Sequence, residues 1–284
     1  MCYGLKMPAL FMTFSPADLH WDSLARHMPN YDQWREGDDT QKMRHARANL
    51  RENPHIAAHH FHARFSIFLD NVLKPKFRLR DWWIRYEWQG RGSPYCYGLY
   101  WSDTGFTPDL KDEGTRQEFA EKWGMVLTAM NPEPHRVLEP GDANPLIVRV
   151  GNNGIEPTFG FLSTVINRVQ RHKCSSAYCL RKRKKRDGTG YTEEEYCRFY
   201  FPKRTHSTAI LTRDLNPGYY VFDAARNDPL LNAFSAAITV GWLANTDVSP
   251  YTSLNAIINY VRKYYSKAET ITLSYRKIVN QVIL

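Results

Sequence analysis

The chain has 284 residues, a net charge of +9 (38 Lys+Arg against 29 Asp+Glu), 43% hydrophobic residues, and 17 Tyr, 14 Phe and 8 Trp. That much apolar and aromatic material supports a sizeable core and excludes a largely disordered chain. The basic balance favours a polyanionic partner, nucleic acid or an acidic membrane surface.

Met1–Phe14 holds an apolar run without a small-residue cleavage site, so no secretory signal is expected. Within it, Leu5–Phe14 reads as a buried strand ended by Ser15-Pro16. His20–Arg51 is polar with weak periodicity, and we expect loop and short helix there. Asn53-Pro54 opens a strong helix, with Phe61, Phe65, Phe68, Leu69, Val72 and Leu73 at helical spacing.

That helix carries His55, His59, His60 and His62. Residues two apart on a helix diverge by about 200°, so His60 and His62 cannot share one ion. His55 and His59 could, but no third ligand accompanies them. A solvated helix face is the expectation.

Lys74–Arg80 is basic and turn-like. Two extended aromatic runs follow, Trp83–Gln89 and Tyr95–Trp101, joined by a turn ending in Gly92-Ser93-Pro94. Alternate residues of a strand share a face, so Tyr95 and Tyr97 project together, with Glu87 within reach across the hairpin. Thr104–Lys122 reads as a polar loop running into a short helix that Trp123–Met130 extends. Asn131–Pro145 reads as loop, Leu146–Val150 as a short strand and Gly154–Gln170 as a helix candidate.

His172-x-Cys174-x4-Cys179-x17-Cys197 then places four borderline-soft donors close in sequence. They could close a tetrahedral zinc site, or be unrelated thiols in a loop. The cysteines number five, with Cys2 and Cys96, and clustered thiols in a chain without a signal suggest metal before disulfides. Between the candidate ligands lies Arg181-Lys182-Arg183-Lys184-Lys185-Arg186. This run suits phosphate contact or nuclear import, or is a solvated loop. Ala209–Leu211, Tyr219–Phe222 and Ala236–Leu243 read as strands or buried helix. The last apolar stretch, Ala233–Ala244, is short of the ~20 residues that cross a bilayer. Ser253–Lys267 closes the readable part as a helix, with Tyr260 and Tyr264 four apart on one face and Lys263 and Lys267 in a row beside them.

Taken together, these segments resemble the nuclease domain of Helitron rolling-circle initiators, transposon-encoded endonucleases of the His-hydrophobic-His (HUH) class. The resemblance rests on Met7–Phe14, on Glu87-Trp88-Gln89-Gly90-Arg91-Gly92-Ser93-Pro94 followed by two ligand positions and Gly98-Leu99, and on Cys197…Phe201-Pro202-Lys203. Gly241–Asp247 and Tyr260-x-x-Lys263-Tyr264-x-x-Lys267 complete it. It implies an α+β fold: an antiparallel sheet of the rolling-circle-initiator type with the hairpin at its centre, flanking helices, and a Cys/His-rich insertion at 170–204 within a single domain, 1–284.

The implied activity is nicking and joining of single-stranded DNA. Tyr260 or Tyr264 would attack the phosphate, Lys263 and Lys267 would stabilise charge, and zinc would order the insertion. A nuclear protein, with a helicase supplied in trans, is the matching expectation. No Gly-x4-Gly-Lys-Ser/Thr phosphate loop occurs in the sequence.

One departure matters. Where the family has two metal-binding histidines, this chain has Tyr95 and Tyr97. A neutral phenol is a poor ligand for Mg²⁺ or Mn²⁺. Ionising each at neutral pH demands a fall of about 3 pK units, on the order of 4 kcal/mol apiece. The expectation is therefore a crippled nicking site at Glu87, Tyr95 and Tyr97. His→Tyr is one C-to-T transition, which fits decay of a transposon copy. Two other readings stand beside it: a DNA-binding module without cleavage, and a zinc-stabilised regulatory protein.

Overall fold

The computed structural model describes residues 7–88, 93–103, 110–136, 159–184, 190–213 and 219–253, with Asn255, Ile257 and Ile258. In chain order the elements are β1 (Leu10–Phe14), α1 (Asp22–Ala25), α2 (Tyr31–Glu36), α3 (Asp39–Glu52) and α4 (Pro54–Phe68), which runs through a π-helical turn at Leu69–Leu73 into α5 (Lys74–Phe77). Then come β2 (Leu79–Trp88), β3 (Pro94–Ser102), α6 (Glu113–Gly124), α7 (Phe159–Val169), β4 (Leu180–Lys184) and β5 (Tyr191–Cys197). The last are β6 (Ile210–Arg213), β7 (Tyr220–Asp223), α8 (Ala236–Trp242) and β8 (Thr246–Pro250).

Four strands form the main sheet, in the order β2-β3-β1-β8 with every pairing antiparallel. The mixed α+β class agrees with the sequence reading. The central place expected for the whole hairpin does not hold: β3 and β1 are interior, while β2 is an edge among the described residues. The reason is that β1, ahead of the hairpin in the chain, pairs with β3 on one side and with the late strand β8 on the other. β4–β5 and β6–β7 are separate two-stranded sheets.

Alternation assigns the two faces of the sheet. Leu10, Met12 and Phe14 of β1, Cys96 and Tyr100 of β3 and Val248 of β8 point into the main core. Against them pack Phe61, Phe65 and Phe68 of α4 and Trp242 of α8. Trp242 is the hub, with edge-on contacts to Phe14 at 5.3 Å, Trp21 at 5.4 Å and Phe61 at 5.6 Å. Its indole N–H donates to the Ser15 carbonyl at 2.7 Å, which satisfies the one polar atom that burial would leave stranded. Phe11, Thr13, Trp83, Arg85, Glu87, Tyr95, Tyr97, Leu99, Trp101 and Asp247 alternate onto the opposite face.

Several local expectations change. The 20–51 stretch runs into a 14-residue helix, α3, that ends at Glu52, rather than holding loop and short helix alone. Its start is fixed by a capping box: Asp38 accepts from the Gln41 N–H at 2.8 Å, and Gln41 accepts from the Asp38 N–H at 2.9 Å. Its buried stripe is only Ala46, Asn49 and Leu50, which is why the periodicity is faint. Lys74–Phe77 is a helical turn ended by Arg78 at φ +48, so β2 starts at Leu79. α6 stops at Gly124, and instead of continuing it Thr128 and Ala129 bridge to Phe234 and Arg226. Leu146–Val150 lies outside the described residues.

The four-histidine run behaves as a helix face. His60 alone turns inward, its Nε2 3.0 Å from Ser23 Oγ. Burial first, then Arg64, His27 and His59, push its pKa down from 6.5 to about 4. The folded state therefore prefers neutral His60. Its contribution is complete above pH 6.5 and is lost as pH falls from 6.5 towards 4. Thermal melts across that window should show wild-type stability falling with acidification and a flatter profile for His60→Gln; parallel profiles would refute this.

Gly98 shares the core face of β3 with Cys96 and Tyr100, hard against the paired strand β2. A Cβ there would lie 2.6 Å from the Trp83 carbonyl oxygen, a backbone atom on the paired strand. Gly98→Ala should lower the thermal midpoint by roughly 5–10 °C through this overpacking. An unchanged midpoint would mean that β2 can move away.

Candidate functional site

The antiparallel register sets Glu87 of β2 directly across from Tyr95 of β3, and Arg85 across from Tyr97. Both phenols turn onto the one carboxylate. Tyr95 Oη donates to Glu87 Oε2 at 2.6 Å and Tyr97 Oη donates to Oε1 at 2.9 Å. The rings lie 5.9 Å apart at 42°, and Tyr97 also leans on Trp83 at 6.3 Å. Arg85 Nε stands 4.0 Å from Glu87 Oε1, with side-chain exposures of 20% and 13%. The carboxylate is thus held between two O–H donors and a guanidinium in a half-enclosed setting. On the core face, burial and then Cys96 push Tyr86 up to about 12, so that phenol stays protonated.

The same row continues across the sheet. Tyr97 pairs with Thr13, and Thr13 pairs with Asp247. Thr13 Oγ1 donates to Asp247 Oδ2 at 3.1 Å, and the Asn232 amide donates to the other Asp247 oxygen. Arg85, Tyr97, Thr13, Asp247 and Asn232 therefore form a polar line over all four strands. The sequence reading missed Thr13, Arg85, Asp247 and Asn232. The signal for the first two was period-2 alternation: Thr13 and Arg85 share parity with the residues facing the clamp.

Beside this line is an apolar patch of Leu99, Trp101, Tyr251 and fully buried Ile257, with Met7, Phe11 and Trp83 against it. Asn255, Ile257 and Ile258 are helical. The expected late helix thus begins on the face that carries Glu87, Tyr95 and Tyr97. Tyr260, Lys263, Tyr264 and Lys267 lie outside the described residues.

A second cluster forms from His172 and Cys174 after α7, Cys179 before β4 and Cys197 at the end of β5. Their donor atoms all lie within 4.8 Å of one another. Cys197 Sγ to His172 Nε2 is 3.4 Å, close to the ~3.5 Å edge expected of a tetrahedron with Zn–S near 2.3 Å and Zn–N near 2.0 Å. The described cysteines are all free thiols.

The donor chemistry also suits a soft divalent ion. Burial, and behind it Lys203, holds His172 below its ordinary pKa, which leaves a neutral imidazole lone pair. Burial opposes ionisation of Cys197, but the backbone N–H groups of Phe201 and Phe199, with Cys174 and Cys179, outweigh it and bring the thiol below its ordinary value. The Ser175 N–H likewise points at Cys179 Sγ at 3.2 Å. Phe201 stacks on the His172 ring at 4.3 Å and 12° and fixes its orientation. The cluster could hold a metal such as zinc.

The basic run is not a loop where it is described. Arg181, Lys182, Arg183 and Lys184 lie on β4, with Lys182 opposite Glu195 of β5; Lys185 and Arg186 fall outside the described residues. Among the described residues the Cys/His group is the one cluster whose donors could hold a metal ion; His55 and His59 have no third ligand there.

Residues 1–100 match the Helitron helicase-like domain at N-terminus. The matched stretch of Helitron-like sequence spans β1, β2 and most of β3, and so includes Glu87, Tyr95 and Tyr97. The Cys/His cluster lies beyond it. A comparison with curated proteins finds no match. No helix among the described residues is long and apolar enough to cross a membrane.

If the four donors hold zinc, the purified chain should carry one equivalent. Cys179→Ser should weaken binding by more than about 100-fold, since losing an outer-shell partner alone costs 10- to 100-fold. Chromogenic chelator release would measure both; a chain without stoichiometric zinc would refute the assignment.

Proposed function

We propose that this chain is a Helitron-type rolling-circle initiator domain that engages single-stranded DNA and is impaired in nicking at the metal-binding step. The observation that carries the reading is the closure of both Tyr95 and Tyr97 hydroxyls on Glu87. A neutral phenol is a poor ligand for a hard divalent ion, and here both O–H groups are turned onto the one carboxylate such an ion would need. To take that carboxylate, Mg²⁺ or Mn²⁺ must compete with two charge-assisted hydrogen bonds, each worth about 1.5–3 kcal/mol. One carboxylate holds Mg²⁺ weakly on its own. The residues present do not fit the ion.

The rest of the design supports an initiator ancestry. Ile257, Tyr260 and Tyr264 are spaced three and seven apart, which is one face of a helix. Ile257 is buried against Leu99 and Trp101, on the clamp side of the sheet. In the ancestral reaction a tyrosine oxygen bonds to phosphorus, the P–O3′ bond breaks, and a 5′-phosphotyrosine and a free 3′-hydroxyl result. Lys263 and Lys267 would lower the phenol's pKa from near 10 or balance charge on the phosphate. The net charge of +9 favours the polyanion. A nuclear location and a helicase acting in trans belong to the same proposal.

The test is reconstruction. The wild-type chain should give little or no covalent adduct with a single-stranded oligonucleotide in Mn²⁺. Tyr95→His with Tyr97→His should raise adduct formation at least about 100-fold, given the charge stabilisation a correctly held ion supplies. Adding Tyr264→Phe or Tyr260→Phe should abolish or reduce it. Robust Mn²⁺-dependent nicking by the wild type that disappears with Tyr264→Phe would overturn the reading of impairment.

A further inference from the structure

The geometry points to a second nucleic-acid contact, on the Cys/His module: Tyr178, Arg198 and Phe199, with Tyr200 beside them, form a stacking platform for an unpaired base of single-stranded DNA. The choice of DNA rests on the function proposed above; the platform itself does not.

These aromatics have no core to serve. Tyr178 is 59% exposed, Phe199 38% and Tyr200 78%. The Tyr178 and Phe199 rings lie 5.6 Å apart at 39°. The Arg198 guanidinium lies over both, 5.1 Å from the first centroid and 4.6 Å from the second. Arg198 has no carboxylate partner among the described residues, and its guanidinium lies over the rings instead. Planar rings interleaved with arginine are the surface on which unpaired bases stack, while the arginine N–H groups reach phosphate. A duplex keeps its bases inside and cannot use the rings.

The platform is rigid because it is mounted on the ligand loops. Tyr178 directly precedes Cys179, and Arg198 and Phe199 directly follow Cys197. The Arg198 N–H donates to the Cys179 carbonyl at 2.9 Å, tying the two loops together. Phe199 also meets His172 edge-on at 5.9 Å. Arg181 clamps the first loop by donating to the Tyr178 carbonyl at 3.1 Å and the Leu180 carbonyl at 2.7 Å, and it leaves a second cation beside the rings. Tyr200 is held at φ +60 by the turn that returns the chain to Phe201. That backbone is costly for a bulky side chain, and it turns the ring out to solvent. A patch selected only for charge would need none of these rings.

Fluorescence anisotropy of the zinc-loaded chain, without added Mg²⁺ or Mn²⁺, tests this with four probes of about 12 nucleotides: oligo-dT, an abasic strand, oligo-rU and a duplex. Oligo-dT should bind about tenfold tighter than the abasic strand. Tyr178→Leu and Phe199→Leu should each lose about tenfold on oligo-dT and nothing on the abasic strand, and Arg198→Lys, which keeps charge but not the plane, several-fold. Zinc content is read for each variant. Should Phe199→Leu lose zinc, the deciding variants become Tyr178→Leu and Tyr200→Gly; the second relaxes the left-handed backbone and should still lose several-fold.

Equal binding of oligo-dT and the abasic strand, unchanged affinity in zinc-replete variants, or a preference for duplex or oligo-rU would overturn the proposal. The outcome is independent of the nicking site. Adduct formation by the double-histidine chain judges that site alone, so either reading can fail while the other stands.

Discussion

One carboxylate accepting from two phenols organises the face of the main sheet opposite the main core. Glu87, Tyr95 and Tyr97 meet because an antiparallel register and a two-residue alternation leave them no other arrangement. Their hydroxyls are 2.6 and 2.9 Å from its two oxygens, so the carboxylate and both phenols satisfy each other. A site built to collect a divalent ion has the opposite character: its donors repel until the ion arrives. The chemistry of the face therefore turns on two side chains, while the backbone that presents them belongs to the Helitron-like stretch of the sequence.

β3 explains why the two tyrosines are tolerated. The strand is buried on both faces, with Cys96 and Tyr100 in the main core and Tyr97, Leu99 and Trp101 against the second patch. A phenol at position 97 finds a ring neighbour in Trp83 and an acceptor in Glu87, so burial strands no polar atom there. Position 98 has no such latitude. Its neighbour across the ladder is a carbonyl oxygen, which no side chain can displace cheaply.

Much of this is legible in the residues themselves. Alternating aromatics at 83–89 and 95–101 with a Gly-Ser-Pro turn specify a hairpin, and spacing alone puts Glu87 with Tyr95 and Tyr97. The soft donors at 172, 174, 179 and 197 are legible for a similar reason: few residue types can do that chemistry. What cannot be read is long-range. Nothing local says that Thr13 will lie beside Asp247, 234 residues away, or that α3 rests on an Ala/Asn/Leu stripe too thin to register as periodic. The basic run reads as a loop because six consecutive cations carry no alternation; its partner strand, rich in glutamate, supplies the pairing.

The pairing of β1 with β8 has a consequence for where this fold begins and ends. The family match stops at residue 100, but the folding unit does not. β1 is sandwiched between β3 and a strand at 246–250, and the slot bounded by Phe14, Phe61 and Phe65 is filled by Trp242. A fragment cut at the homology boundary would leave β1 with a bare row of N–H and C=O groups along one side and a hole the size of an indole at its centre. Such an edge recruits other chains. The recognisable stretch is thus a signature carried by a larger body, and the late segment that closes it is as much a part of the domain as the motif that names it.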